Sequence, residues 1–135
     1  CALSGSQERH LETTNLGGAF MEAINASGLP SRALPDGVTY PVAVGAIAAA
    51  NAIEPEPAAA AFLHGYASNQ IQCGIRLGVL GQNGGVALLA KLEPLIAETA
   101  AKAAQSTLDD LGANTIQADI ATMRHETLTS RIFRT

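Results

Sequence analysis

The sequence predicts an all-α fold, a compact bundle of about five helices with a basic C-terminal tail. Apolar residues recur at helical spacing along most of the chain, Gly- and Pro-rich clusters punctuate it, and no stretch alternates long enough for a credible strand. The composition agrees: Ala is abundant, 47% of residues are hydrophobic, aromatics make up only 4% and Trp is absent. Such a core is built by close approach of helix backbones, near the short end of the roughly 8–10 Å interaxial range, with Leu and Ile filling between.

The first helix is expected to start at Ser4-Gly-Ser-Gln7, with Ser4 as N-cap and Gln7 reaching back, and to place Leu11, Leu16, Phe20 and Ile24 on its apolar side. Gly17 and Gly18 each cost it about 1 kcal/mol relative to Ala, and such small residues in mid-helix often let another backbone come close. Gly28-Leu-Pro30 is a stop signal, followed by a loop over Ser31 to Gly37. Pro41 opens a second helix, Val42 to about Ala52, apolar nearly all round and therefore expected at the centre.

Glu54-Pro-Glu-Pro57 breaks and restarts the chain, its prolines and carboxylates suited to a first turn. The third helix follows from about Ala58 to Gly74 or beyond, with Phe62, Tyr66, Asn69 and Cys73 as a stripe and Asn69 on the side that reads as buried. Beyond Gly81-Gln-Asn-Gly-Gly85 a fourth helix carries Leu89, Leu92, Ile96, Ala100 and Ala103 on one face to about Leu108. Pro94 lies inside it and predicts a kink near Ala90, since the apolar stripe continues in phase. Asp109-Asp-Leu-Gly112 ends that run, and Gln117 to about Arg124 is a short helix before the tail.

Length and charge bound the function. At 135 residues the chain reads as one domain over 1–135, large enough to bury roughly two-thirds of its unfolded surface. The formal net charge is −4, with no charge run outside the tail to attract a polyanion, so nucleic acid is a poor partner. The most apolar windows, Pro41 to Ile53 and Val86 to Ala97, fall short of the roughly 20 residues of a membrane span, and a soluble cytoplasmic protein is expected. Cys1 and Cys73 form no metal or disulfide pattern; a reduced, partly buried thiol is the expectation for Cys73.

Chemistry-bearing patterns are sparse. The run Leu80-Gly-Gln-Asn-Gly-Gly85 lacks the Gly-x-x-x-x-Gly-Lys-Ser/Thr pattern of a phosphate loop and follows a helix, so it reads as a turn using glycines for positive φ. His10, His64, His125 and the two cysteines include no pair at the spacing that puts two metal ligands on one helical face. His64 and Cys73, nine residues apart on one helix, fall on opposite faces and make no nucleophile pair. Catalysis by this chain alone is not indicated. Arg76, between Ile75 and Leu77, must reach solvent or a partner; it is either a contact residue or a helix-end cation favoured by the dipole. Arg124, Arg131 and Arg134 gather three of the chain's eight Lys/Arg residues at its end, where arginines flank Phe133, residue types enriched at interface hot spots.

The closing segment Ala121-Thr-Met-Arg-His-Glu-Thr-Leu-Thr-Ser-Arg-Ile-Phe-Arg-Thr135 resembles the end of the urease accessory protein UreF family, matching it at Arg124, His125, Glu126, Thr127, Arg131, Phe133 and Arg134. It departs at Leu128-Thr129, where the family usually has Gln-Tyr. Gly74-Ile-Arg-Leu-Gly-Val-Leu-Gly-Gln82 is similar to a second family motif, with Gly78-Val79 in place of Val-Pro, and Ser106-Thr-Leu-Asp-Asp-Leu-Gly112 to a third. The resemblance runs from about Ser6 to Thr135. The family's usual N-terminal motif, Leu-Pro-x-Gly-x-Phe/Tyr-x-x-Ser-x-Gly-Leu-Glu, does not occur, so the chain is expected to be the C-terminal part of a longer protein.

The resemblance implies a non-enzymatic scaffold or chaperone of urease maturation, homodimeric, with no cofactor of its own. Nickel and GTP would be carried by the separate GTPase UreG. Arg76, Gln82 and Asn69 would face UreG, and the tail 113–135, with Arg124, His125, Glu126, Arg131, Phe133 and Arg134, would dock on UreD/UreH, so that the assembly sits on apo-urease. His125 and Glu126 would supply directional hydrogen bonds there; otherwise His125 bonds within the tail segment and Glu126 pairs with Arg124 or Arg131. The competing readings are a generic helical dimerisation or interaction module and a small nickel-binding carrier.

Overall fold

A computed structural model describes residues 5–112 and 114–129 of the chain. It contains five α-helices, α1 (Gln7–Ser27), α2 (Tyr40–Ala50), α3 (Pro55–Arg76), α4 (Gln82–Gln105) and α5 (Ile116–Glu126), and a 3₁₀ turn at Leu108–Asp110. Among the described residues there is no strand, and the expected all-α class holds. The helices fall into two compact units, one comprising Ala52–Thr107 and the other the residues before and after it.

In the unit formed by α1, α2 and α5, α1 starts two residues later than the sequence reading placed it. Ser6, extended at φ −149° and ψ 161°, is the N-cap, its hydroxyl accepting the Arg9 backbone N–H; the expected cap Ser4 lies outside the described residues. Gln7 is then the first helical residue and cannot reach back as the partner of a capping box. Gly28 ends α1 at φ 73°, the left-handed conformation a glycine adopts freely.

α1 meets α2 through Gly17. The backbone of Val38, Thr39 and Tyr40 lies where a Cβ on Gly17 would stand. Phe20 then meets Tyr40 edge-on, with ring centroids 5.5 Å apart and planes at 82°. Leu11 and Leu16, expected on the packed side, are 42% and 45% exposed, because the contact is centred on Gly17 rather than on the large side chains before it.

α2 buries Ala43, Ile47 and Ala48 along one side. Enclosing Ile47 contributes about 1.5–3 kcal/mol. The expectation that this apolar helix is central on all sides is corrected: Val42 is 57% exposed and Gly45, Ala49 and Ala50 are exposed as well. Asn51 ties its end to the preceding loop, donating from Nδ2 to the carbonyls of Ile47 (2.9 Å) and Pro30 (3.0 Å).

The second unit is the α3–α4 pair. α3 begins three residues before the expected Ala58, because first-turn N–H groups have no helical partner and Pro55 and Pro57 lose nothing there. Gly85 brings α4 close: a Cβ there would lie 2.9 Å from Ile75 Cδ1 and 3.0 Å from Ile71 Cγ2. Ile71 and Ile75 thus mark the side of α3 that faces α4. Asn69, two residues from Ile71 and so about 200° round the helix, is exposed, which corrects its reading as buried.

α4 stays helical through Pro94 and ends at Gln105, short of Leu108, where Ser106 turns extended at ψ 152°. Leu89, Leu92, Ile96 and Ala100 lie on its more buried side, whereas Ala103 is exposed and Ala104 takes its place.

Candidate functional site

Two places carry the residues that the sequence singles out, one in each unit. In the α3–α4 unit, α3 closes through a Schellman turn. Gly78, at φ 73°, donates its N–H to the Ile75 carbonyl at 3.0 Å, and Val79 donates to that of Gly74 at 3.1 Å. Val79 Cγ2 lies 3.5 Å from where a Cβ on Gly74 would stand, the position from which this motif's apolar contact is usually made. Gly78 therefore supplies the left-handed residue where the family pattern has Val-Pro.

Arg76 occupies the last turn of α3 and is exposed, so its side chain reaches solvent, and its charge complements the negative end of the helix dipole. Gln82, the first residue of α4, is exposed on the other side of the 77–81 connection. Asn69 lies two turns before Arg76 on the same side of α3, with exposed Gln72 between them and Tyr66, 50% exposed, just beyond. The structure thus brings Asn69 and Arg76 onto one solvent-facing strip that ends at the turn carrying Gln82.

The glycines at Gly81, Gly84 and Gly85 have ordinary negative φ, which corrects their reading as positive-φ turn residues. Gly85 is there for close approach to Ile71 and Ile75, and Gly81 is the N-cap of α4.

At the other place, the end of α5 meets the start of α1. Glu126 Oε1 accepts the backbone N–H of Glu8 at 3.1 Å, and His125 Nδ1 lies 2.7 Å from Glu8 Oε2. A carboxylate only accepts, so the imidazole proton in this contact sits on Nδ1. The Glu8 N–H is one of the first-turn donors that α1 cannot satisfy itself. Ser6 takes the Arg9 N–H and Glu126, from a helix distant in sequence, takes that of Glu8. Negative charge is also favoured at this positive end of the α1 dipole.

Higher on α5, Asp119 packs so tightly on Gly5 that a Cβ at Gly5 would lie 2.7 Å from Asp119 Cγ. The helix is reversed in its amphipathicity. Its partly buried residues are Asp119, Thr122, His125 and Glu126, whereas Ile116, Ile120 and Met123 are 64%, 44% and 49% exposed. Arg124 is exposed; Arg131, Phe133 and Arg134 lie outside the described residues.

As alternatives to a partner contact, the sequence reading has His125 bonded within the tail segment or Glu126 paired with Arg124 or Arg131, whereas the structure joins both residues to α1. Their partner is Glu8, which no spacing rule could have found across more than a hundred residues; the only local hint was an acidic residue in the first turn of α1. Cys73 is a free, half-buried thiol and His64 is exposed. No group of three or more His, Cys, Asp or Glu side chains among the described residues could hold a metal ion. No helix among them is long and apolar enough to cross a membrane.

The sequence model of the UreF family matches residues 1–93. The chain belongs to the UreF family. Proteins named urease accessory protein UreF from Rhizobium johnstonii and Rhizobium leguminosarum bv. trifolii are each 58% identical to it, and one from Rhizobium etli is 57% identical, each over 98% of this chain. The chain spans 60% of the length of each of these relatives. The resemblance read from the tail and from the motif around Arg76 is therefore borne out at the level of the family.

Proposed function

We propose that this chain acts in urease maturation as a non-enzymatic scaffold, docking on UreD/UreH through residues 113–135 and engaging UreG through the strip that carries Asn69, Arg76 and Gln82. In this reading UreG brings the nickel and the GTP, and the assembly presents them to apo-urease in the cytoplasm. The observation that carries it is the extended match to proteins named urease accessory protein UreF, which spans nearly the whole chain. The exposed arginine and amide side chains at the α3–α4 turn suit a polar contact with a second protein. Self-association into a homodimer belongs to the same proposal, supported by exposed apolar residues such as Val42, Val79 and Val86.

The test is complex formation between the purified chain and UreD/UreH, measured as mass by light scattering after size exclusion. The intact chain is compared with one ending at Gly112. A complex only with the intact chain supports docking through the tail, and no complex with either overturns it. Nickel calorimetry addresses the nickel-carrier alternative: micromolar binding by the chain alone, lost in His125→Ala, overturns the scaffold reading.

A further inference from the structure

Glu8 holds two consecutive residues of α5 at once: its carboxylate meets His125 and its backbone N–H meets Glu126. Asp119, seven residues before Glu126 and on the same side of α5, is pressed against Gly5. None of the residues of α5 is fully buried, and its large apolar side chains Ile116, Ile120 and Met123 are 64%, 44% and 49% exposed, more than the polar residues that meet α1. No apolar side chain of α5 is fully enclosed, and the polar contacts with Glu8 and Gly5 are what join it to the start of α1.

We propose that Glu8 is a positioning residue for the C-terminal docking segment, with His125 and Glu126 serving as its partners within the chain and not as contacts to the docking protein. This deepens the reading that residues 113–135 dock on UreD/UreH and rests on it. The clasp fixes the C-terminal end of α5 against α1. Binding then starts from a seated α5, so less freedom has to be given up when the partner arrives. Moving His125 and Glu126 onto a partner would instead remove the acceptor of the Glu8 N–H and the imidazole that meets the Glu8 carboxylate.

The experiment is a double-mutant cycle on the full chain, with affinity for purified UreD/UreH read by calorimetry. Glu8→Ala and His125→Ala are each expected to weaken binding about tenfold, and the double variant no more than either single. Glu8→Gln, which keeps an acceptor for His125, restores most of the affinity. Losses that multiply to about a hundredfold, or a loss in His125→Ala with none in Glu8→Ala, overturn the proposal by making His125 a direct contact.

Hydrogen exchange at the Glu8 amide, in the unmodified chain with and without UreD/UreH, tests the same point with no variant that could misfold. Protection kept in the complex supports a retained clasp, and protection lost on binding overturns it. A chain ending at Gly112 separates this proposal from the docking reading. If that chain binds as well as the intact one, the docking reading fails and takes the clasp's role with it. If it does not bind while the Glu8 and His125 variants bind normally, the clasp proposal fails alone.

Discussion

The carbonyl oxygen of Val38 occupies the place that a Cβ on Gly17 would need, with Thr39 C and Tyr40 N each 3.0 Å from the same point. Backbone cannot swing aside as a side-chain end can. Gly17→Ala is therefore expected to lower stability by about 1–3 kcal/mol through overpacking. Gly18→Ala, with nothing within 4 Å of the new methyl, is expected to raise it by about 0.5–1 kcal/mol through helix propensity. Urea denaturation followed by circular dichroism reads both, and a neutral Gly17→Ala would show that the α1–α2 contact is looser than described.

Ser6 is buried to 8% exposure and caps α1 through the Arg9 N–H at 3.2 Å. Replacing it with Ala removes an acceptor that nothing local replaces. The expected cost is about 1 kcal/mol, seen as a lower midpoint of chemical denaturation.

Pro94 interrupts the backbone ladder of α4 without ending the helix. Pro94→Ala gives residue 94 an N–H able to reach the Ala90 carbonyl and removes the ring's clash with the preceding turn. Stability is expected to rise by about 1–3 kcal/mol, with a small gain in helical ellipticity. A fall would mean that the proline ring is itself required for packing.

Arg76 is exposed in the last turn of α3, so its removal touches little of the fold. On the proposed reading, Arg76→Ala weakens recruitment of UreG by about tenfold or more, the scale of an interface hot spot. Folding stability is expected to change by no more than about 0.5 kcal/mol. Binding is measured with UreD/UreH present, and unchanged recruitment would leave Arg76 as a helix-end cation.

Helix number and class were legible because Gly28, the Glu54 to Pro57 run and the glycines after Leu80 punctuate the chain where its helices stop and start. Faces were harder. Asn69 shares helical spacing with Phe62 and Cys73, yet Gly85 fixes α4 against Ile71 and Ile75 and leaves Asn69 outside. A small residue sets which side of a helix is covered, and hydrophobic periodicity is blind to it. α5 misleads further, since its large apolar residues are more exposed than Asp119, Thr122, His125 and Glu126. The motif around Arg124 to Glu126 drew attention to the right residues, while the identity of their companion, Glu8, depended on tertiary contact.

The reversal of α5 also redistributes mutational tolerance along that helix. Polar substitutions at Ile116, Ile120 and Met123 remove none of the polar contacts that join α5 to α1, whereas apolar ones at Asp119 or Glu126 remove a packing partner of Gly5 or the acceptor for Glu8. A random library scored only for folding would accept hydrophilic residues where the natural chain carries large aliphatic ones. Retention of Ile, Ile and Met at those positions would then have to be enforced by a requirement other than the fold.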